Sequence, residues 1–528
     1  MNIKKTTHPL TTKYLSEDTS LTRMIEEHLS KHETVLLIAP QGTGKTTYIQ
    51  SLQNKDFINT VVGLFPTRML SKQQRKNGQE AGFTHSTTYF SSEDYLKWMD
   101  FEGLSDHDTL IFIDEIHKII QYSAFAYEEQ TVPALSIIEK ATKNPCILAT
   151  ATPDYLYHCC TDEPFYQSID IIIEVQTQKE YIKHLTLLDG YSKREDALKA
   201  LVRKNHKADT KQIILLNNTK KCDAWAEEFQ QSGIHALSIH SKTDREHPTI
   251  QPIYESITNN GTLNCEILIA TSWIDIGISF KDENITNLYC ILTDNWTDGD
   301  FTMIKQFMAR ARKSTPHLYM TRPKLTYDEQ EYLKYMRSHT ETNGLLSPGT
   351  DFYKELEQDI IHTARNQAEL INQHKIKDQS SFYAMGCQKI GDRYTANSMH
   401  CKYYLDTLYE KKQIESFKDD DITKEILSKH FNIEVEQIDI HTYTPEATGL
   451  TPEEEQAVIL YLEELYTTQK KFAQKELCTK IRTITNDKKN YEKAGQFLKN
   501  TFIGGEQLNT LFKLARKNGG KYQIEKIK

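Results

Sequence analysis

Short apolar runs, separated by longer stretches of mixed polarity, recur along the first 325 residues of the chain. Each run is rich in Ile, Leu or Val and ends close to a charged or small residue. The runs lie at residues 35–40, 61–65, 109–114, 146–150, 212–217, 235–240, 266–271, 287–292 and 317–321. Such runs, alternating with helical stretches, are typical of buried strands in parallel α/β sheets. Their spacing predicts two sheets in tandem, with a break near residues 175–185.

Beyond about residue 326 the pattern changes. Long segments with the apolar spacing of helices replace the short runs, and turn-rich joints such as T-N-G-L-L-S-P-G-T-D (342–351) interrupt them. The predicted fold class is therefore α/β, with two tandem parallel-sheet domains followed by a mainly α-helical accessory region. The expected boundaries are 1–180, 181–325 and 326–528.

The first apolar run leads into a loop of small residues, A-P-Q-G-T-G-K-T, at residues 39–46. Its spacing matches the phosphate-binding P-loop, with Ala39 in place of the first glycine. Glycines let several backbone N–H groups face one anion, and the following helix adds the positive end of its dipole. The alternative is an ordinary glycine-containing turn between a strand and a helix. The predicted ATP-binding residues are Gln41, Gly42, Thr43, Gly44, Lys45 and Thr46, with Lys45 on the outer phosphates and Thr46 on Mg²⁺.

A second apolar run, 109–113, is followed by two adjacent carboxylates. Hydrolysis of a nucleoside triphosphate needs a carboxylate for Mg²⁺ and a group that positions the attacking water. Asp114 is predicted to hold the metal and Glu115 to position the water. A chance Asp-Glu pair on a loop is the alternative, and it fits poorly with an apolar strand that leads directly into the pair.

Composition narrows the class of protein. The hydrophobic content of 38% and the mean hydropathy of −0.60 argue against residence in a membrane, and no apolar run is long enough to span a bilayer. The polar start M-N-I-K-K-T-T-H-P-L lacks the core of a signal peptide. Nine cysteines without C-x-x-C pairs favour a reducing compartment, so a cytoplasmic location is expected.

The net charge of −9 conceals a basic C-terminal segment. Residues 465–528 contain 15 Lys and Arg against 5 Asp and Glu, a balance of +10, which leaves −19 for the rest of the chain. A basic segment on an acidic body suggests a surface for an anionic polymer. The alternatives are a solvated lysine-rich face and, for the aromatic residues interleaved with the lysines, the core side of amphipathic helices.

The order of motifs resembles that of the superfamily 2 helicases and translocases, in their DExH branch. In the first half, the P-loop is followed by F-P-T-R-M-L (65–70), S-T-T-Y-F-S (86–91), D-E-I-H (114–117) and T-A-T-P (150–153). In the second half come I-I-L-L-N-N-T (213–219), A-T-S-W-I-D-I-G-I-S-F (270–280), similar to a motif of the flaviviral helicases, and Q-F-M-A-R-A-R-K (306–313). The resemblance covers roughly residues 30–325 and implies two RecA-like domains.

Roles for further residues follow only from this resemblance. It implies that His117 couples the ATP site to Gln306 across the cleft and that Arg310 is an arginine finger. It implies that Asp275 and Gly277 face the nucleotide. The residues implied to contact a nucleic-acid backbone are Thr67, Arg68, Thr88 and Thr271.

The last motif departs from the usual Q-R-x-G-R-x-G-R. Here it ends R-A-R-K, so that Arg312 stands where glycine is expected and Lys313 where the second finger belongs. A shift of one residue would make Arg312 that finger. A similar ending occurs in helicases that resemble the herpesviral origin-binding protein, and Arg310 is the preferred assignment.

The resemblance implies an ATP-driven helicase or translocase that moves along DNA or RNA, with single strands as the expected substrate. No membrane partner is expected. Two alternatives belong to other classes: a P-loop ATPase that acts as a switch or remodeller without processive unwinding, and a binding scaffold with an inactive ATP site. The intact Lys45, Asp114 and Glu115 speak against the scaffold.

Overall fold

The structure is a computed structural model of the chain. It describes residues 3–52, 58–66, 70–71, 85–88, 109–122, 134–177, 180–189, 195–240, 242–244, 247–248, 250–272, 278–293, 300–322, 351–374, 387–390, 393–415, 424–425, 427–428, 431, 433–439, 452–484, 498, 502–503, 506–517 and 521–527. Its described residues form two compact units, one of residues 1–187 and 208–437 and one of residues 188–207 and 438–528.

The first sheet has seven strands. They are β1 (Lys4–Pro9), β2 (Thr34–Ile38), β3 (Thr60–Phe65), β4 (His85–Thr88), β5 (Thr109–Ile113), β6 (Cys146–Thr150) and β7 (Ile171–Gln176). Their order across the sheet is β1-β7-β2-β6-β5-β3-β4, and all neighbours are parallel. Because neighbouring parallel strands carry their carboxyl ends to one edge, the loops that follow β2, β5 and β6 come together there.

Both faces of this sheet are covered, which explains why its central strands are apolar throughout. In β2, Leu36 and Ile38 belong to one hydrophobic cluster, whereas Val35 and Leu37 belong to another on the opposite face. Alternate side chains of a strand point to opposite faces. Continuous apolar runs are therefore the expected sequence of an interior parallel strand.

The second sheet also has seven strands. They are β8 (Leu185–Asp189), β9 (Lys211–Leu216), β10 (Ala236–Ile239), β11 (Ile267–Ala270), β12 (Ile285–Ile291), β13 (His317–Thr321) and β16 (Val435–Asp439). Their order is β10-β11-β9-β12-β13-β8-β16, and the four pairs from β10 to β13 are parallel. A hydrophobic cluster on this sheet extends from Ile182 to Val435.

Helices surround the sheets and make up most of the C-terminal region. Those of the first 325 residues are α1 (Thr19–Leu29), α2 (Lys45–Gln50), α3 (Lys118–Tyr122), α4 (Ala134–Ala141), α5 (Leu156–Cys159), α6 (Pro164–Gln167), α7 (Glu195–Asn205), α8 (Thr219–Gln231), α9 (Gln251–Glu255) and α10 (Phe301–Met308). Those that follow are α11 (Asp351–His374), α12 (Ser398–Glu415), α13 (Pro452–Thr467), α14 (Gln474–Ile484) and α15 (Leu508–Leu511). None of the described helices is long and apolar enough to cross a bilayer.

Short antiparallel strand pairs accompany the C-terminal helices. They are β14 (Cys387–Ile390) with β15 (Arg393–Ala396), β17 (Phe502–Ile503) with β18 (Glu506–Gln507), and β19 (Phe512–Arg516) with β20 (Tyr522–Lys526). The second unit has a hydrophobic core of its own, to which Leu462, Phe472 and Phe512 contribute. Phe472 and Phe512 are 1% and 2% exposed, so these two aromatic residues of the basic segment are core residues and are not available to stack on bases.

The predicted fold class is confirmed: two tandem parallel-sheet α/β domains are followed by a mainly helical region. All nine predicted apolar runs are strands. Two features of the sheets differ from the prediction. β1, β4, β7 and β8 were not predicted, and β16, from the region expected to be helical, joins the second sheet. The domain boundaries at residues 180 and 325 stay a prediction.

Candidate active site

The loop between β2 and α2 has the backbone of an anion-binding turn. Gly42 and Gly44 have φ of 77° and 82°, values in the left-handed region that glycine adopts without strain. Two hydrogen bonds hold the curled loop: the Thr43 hydroxyl donates to the carbonyl of Pro40 at 2.8 Å, and the backbone N–H of Leu15 donates to the carbonyl of Thr43 at 3.0 Å. The loop is thereby held open ahead of the first turn of α2.

Lys45 lies inside this loop. Its ammonium group donates to the carbonyls of Ala39 at 2.8 Å and Pro40 at 3.4 Å. Burial lowers the pKa of Lys45, and the carboxylates Asp114 and Glu115 act in the opposite direction. A desolvated ammonium group that donates to neutral carbonyls can exchange them for an anion, which accepts stronger hydrogen bonds.

Two tyrosines that the sequence did not point to contact the loop. The ring of Tyr14 lies 3.5 Å from the position that a Cβ atom would take at Gly44, so a side chain there would meet the ring. The hydroxyl of Tyr181 donates to the carbonyl of Gln41 at 2.8 Å. Neither tyrosine lies in a local motif, and only the folded chain brings them to the loop.

Asp114 and Glu115 follow the carboxyl end of β5, as predicted. The backbone N–H of Glu115 donates to the Asp114 carboxylate at 3.1 Å. Glu115 has a φ of 50°, which is uncommon for a residue with a side chain and occurs most often at functional sites. Burial raises the pKa of Asp114 to about 7, and the neighbouring charge of Glu115 adds to the effect.

His117 connects the two sheets. Burial lowers its pKa well below the usual value, so the imidazole is neutral. Its Nδ1 lies 2.9 Å from the hydroxyl of Thr150, at the end of β6, and its Nε2 lies 2.5 Å from the amide nitrogen of Gln306 on α10. An amide nitrogen can only donate, so Nε2 accepts and Nδ1 carries the proton that it donates to Thr150. The predicted contact between His117 and Gln306 is present, and its role in catalysis stays a prediction.

Arg310 and Arg312 follow α10 and are anchored within the second sheet's domain. Nη1 of Arg310 donates to the carbonyl of Ile278 at 3.0 Å, and Nε of Arg312 donates to the hydroxyl of Ser279 at 3.0 Å. Both guanidinium groups contribute to the lowered pKa of Lys45, Arg312 more than Arg310. The structure therefore brings both arginines into the electrostatic environment of the P-loop.

Two further residues on or beside α10 were not predicted. Lys305 forms an ion pair with Asp154, one residue after T-A-T-P, at 3.0 Å. Asp300 caps the helix, because its side chain accepts a hydrogen bond from the backbone N–H of Met303 at 3.0 Å. An aspartate directly before an apolar helical segment is a capping signal that the sequence does contain.

The predicted strand-contact residues are placed only in part. Thr88 ends β4 and is 4% exposed, and Thr271 follows β11 and is partly exposed. Thr67, Arg68, Asp275 and Gly277 lie outside the described residues.

The chemistry of the loop fits a nucleoside triphosphate with Mg²⁺. Both polar atoms of the Gln41 side chain are buried without a hydrogen-bond partner among the described residues, as expected of groups that serve a ligand. Thr46 and Asp114 provide oxygen donors, the type that Mg²⁺ prefers. Since burial, and next the charge of Glu115, disfavour the ionised form of Asp114, a divalent cation bound there would stabilise that form.

Comparisons with known proteins agree with this site. Residues 35–176 match the model of the ATPase family associated with various cellular activities (AAA), a match that runs from β2 to the end of β7. A protein of Acanthamoeba polyphaga mimivirus described as an uncharacterized helicase, R8, is 19% identical over 334 residues, which cover 58% of this chain. The match covers 31% of R8, so this chain spans about a third of the length of that relative.

Solved structures also match the chain, at low sequence identity and with low TM-scores. Dbp5 of S. cerevisiae bound to RNA and ADP BeF3 is 14% identical, with a TM-score of 0.42, 66% of this chain covered and 98% of that chain. The helicase Lhr of Mycobacterium smegmatis bound to ssDNA and AMP-PNP is 13% identical, with a TM-score of 0.39, 75% of this chain covered and 60% of that chain. The family match and the geometry of the loop together place a P-loop ATPase domain on the first sheet, and one relative of the chain is described as a helicase.

Proposed function

We propose that this protein is a nucleic-acid-dependent ATPase of the DExH type in superfamily 2, which uses ATP hydrolysis to move along a DNA or RNA strand. The contact of His117 with both Thr150 and Gln306 carries the proposal. It joins the residues after β5 and β6, in the first sheet, to α10 on the second sheet in one buried hydrogen-bonded chain. A change at the ATP site would therefore reach the second domain directly.

In the proposed reaction the P-loop binds the phosphates. Lys45 would exchange its contacts with Ala39 and Pro40 for the outer phosphates, and Thr46 and Asp114 would hold Mg²⁺. When bound, Mg²⁺ neutralises charge that builds up on the transferred phosphoryl group. Glu115, one residue beyond Asp114, would orient the attacking water.

The second domain completes the site in this proposal. Arg310 is the preferred arginine finger and Arg312 the alternative. Positive charge from a separate domain has its greatest effect in the transition state, where negative charge spreads over the phosphoryl oxygens. Closure of the cleft would then be required for hydrolysis, and loss of the bridging phosphate would favour reopening.

Strand binding would use residues on both domains. Thr67, Arg68 and Thr88 on the first domain and Thr271, after β11, on the second are the proposed contacts. Contacts to phosphate and sugar grip a strand without reading its sequence. If the two sets of contacts shift relative to one another during each ATP cycle, the protein advances along the strand.

A second candidate function is an ATPase that acts as a switch or remodeller and does not unwind processively. The match of residues 35–176 to the AAA family model favours this second function, because the family is associated with various cellular activities. The two functions differ in what ATP turnover produces.

The deciding experiment measures ATP turnover and strand displacement together. Turnover is measured with Mg²⁺ and with single-stranded DNA, duplex DNA or RNA added separately, and displacement with a partial duplex of the nucleic acid that stimulates most. Glu115→Gln is the matched control. It should bind ATP but lose turnover by about three orders of magnitude, because the group that positions water is removed.

Stimulated turnover with ATP-dependent displacement supports the helicase. Stimulated turnover without displacement or movement supports the switch. Turnover that no nucleic acid stimulates, or native turnover in Glu115→Gln, would contradict the proposed function.

A further inference from the structure

Helix α12 of the accessory region packs against the first sheet's domain beside the candidate active site. Met399 and Tyr403 of this helix belong to the hydrophobic cluster that covers one face of the first sheet. The ring of Tyr403 meets that of Tyr155 edge to face, with centroids 5.0 Å apart and an interplanar angle of 79°. Tyr155 follows T-A-T-P by two residues. The accessory helix is therefore in contact with the segment that begins at Thr150.

Ion pairs fix this helix in place. The imidazole of His158, on α5, lies 2.7 Å from the carboxylate of Asp406 on α12 and 2.7 Å from that of Glu357 on α11. Lys402 of α12 pairs with Asp162 at 2.8 Å. Because both imidazole nitrogens engage carboxylates, charge pairing accounts for this cluster without a bound ion. Helix α12 is thus joined to the first domain by packing and by charge.

From this position Tyr403 reaches the second domain. Its hydroxyl donates to one carboxylate oxygen of Asp300 at 2.7 Å, while the other oxygen of Asp300 accepts the N–H of Met303 and so caps α10. Asp300 is 1% exposed, and a hydrogen bond to a buried carboxylate is among the stronger kinds. The helix whose N-terminus is held in this way presents Gln306 to His117 and is followed by Arg310.

We propose that Tyr403 is a positioning residue for ATP hydrolysis, through which the accessory region holds α10 in the orientation that the site requires. The inference rests on the proposed function. Three contacts then hold α10 against the first domain: Tyr403 at its N-terminus, the Lys305 ion pair with Asp154 along its length, and Gln306 near its C-terminus. If the cleft opens by separation of the two domains, the bond from Tyr403 to Asp300 must break, so the accessory region responds to closure.

The test compares single substitutions with a double one. Tyr403→Phe removes only the donating oxygen. Asp300→Ser keeps a capping side chain but shortens it beyond the reach of Tyr403. Tyr404→Phe is the matched control, because it removes the same atom at the next position of the same helix. For each variant the measurements are kcat and KM for Mg-ATP, the melting temperature, and hydrogen–deuterium exchange over Phe301–Met308.

Tyr403→Phe is expected to lower kcat by about tenfold, the effect of removing one hydrogen bond to a charged group, with KM nearly unchanged. Exchange over Phe301–Met308 should accelerate, and Tyr404→Phe should behave as the unchanged protein does. The double variant Tyr403→Phe/Asp300→Ser should lose little more activity than Asp300→Ser alone, because both substitutions remove the same hydrogen bond.

Native kcat in Tyr403→Phe overturns the inference while leaving the proposed function intact. A lower melting temperature without a change in kcat would mark a purely structural contact and also overturns the inference. Fully additive losses in the double variant overturn it as well. An unchanged protein that hydrolyses no ATP under any of the nucleic-acid conditions overturns both the inference and the proposed function.

Discussion

Burial keeps the His117 imidazole neutral, and its protonation state decides which hydrogen bonds it can make. A neutral imidazole has one donor and one acceptor, and in this position the acceptor faces Gln306 and the donor faces Thr150. The residue types at the site were predictable, because P-loops and paired carboxylates need particular side chains at a fixed local spacing. Tyr14 and Tyr181 were not, since each reaches the P-loop from a part of the chain whose local sequence carries no such requirement.

Arg310 is the proposed arginine finger. Arg310→Ala is expected to lower kcat by about a thousandfold with nearly unchanged nucleotide affinity, because its charge is needed chiefly in the transition state. Kinetics of Arg310→Ala and Arg312→Ala, measured side by side, assign the register of R-A-R-K. Lys281→Ala is the control, since this lysine is exposed and lies outside the motif. An effect confined to Arg312→Ala would transfer the role to Arg312.

Secondary-structure elements were predictable where a strand is buried on both faces. The strands that escaped prediction show why others are harder. β1 has the sequence K-K-T-T-H-P, which contains no apolar run. It is a strand because its backbone pairs with β7 at the edge of the sheet. β4 is a four-residue edge strand with the sequence H-S-T-T. β7, with the sequence I-I-I-E-V-Q, is different, because its apolar run is plain in the sequence but ends at the expected break between the two sheets.

The packing of helices α5, α11 and α12 gives a prediction about pH. Burial alone would lower the pKa of His158, but hydrogen bonds to Asp406 and Glu357 outweigh it and raise the pKa to about 9. The groups that surround the ring also include Tyr353, Cys159 and Lys402. A pKa raised on folding contributes stability that is complete below the unfolded value, near 6.5, and disappears as the pH rises through about 9.

His158→Gln should therefore cost on the order of 3 kcal/mol at pH 6.5, since two buried carboxylates lose the cation between them. At pH 10 the difference from the unchanged protein should shrink, because the unchanged imidazole is then neutral as well. Urea unfolding at both pH values measures the difference, and His362→Gln, an exposed position on α11, is the control. A difference that is the same at both pH values would contradict the charged state of His158.

At the scale of the whole molecule, the basic C-terminal segment has a different structural meaning from the one that its composition suggests. Its apolar positions form the core of the second unit, so deletion from Leu465 onward would cut through a folded body. Three of its lysines, Lys471, Lys475 and Lys480, are exposed. Neutralising them tests the charge without disturbing the core.

Replacing Lys471, Lys475 and Lys480 together by Gln is expected to weaken strand binding and reduce the salt dependence of the affinity, by about one unit of the log–log slope for each phosphate that is no longer neutralised. Unstimulated ATP turnover should be unchanged. Replacing Lys31, Lys143 and Lys220 by Gln makes the same change in net charge elsewhere on the surface. Binding is measured over a range of salt concentrations. Equal effects of the two triple variants would mean that only total charge matters.

The edge strand β16 has a consequence for how the protein is made. It joins the second sheet although most of that sheet ends at Thr321, and it lies beside β8. During synthesis the ribosome must therefore complete Asp439 before β16 can cover β8. Until then β8 exposes unpaired backbone groups, which are a template for pairing with other chains. A fragment that ends near residue 325 would leave β8 without this neighbour permanently, and a smaller soluble fraction than that of the full chain is expected on expression.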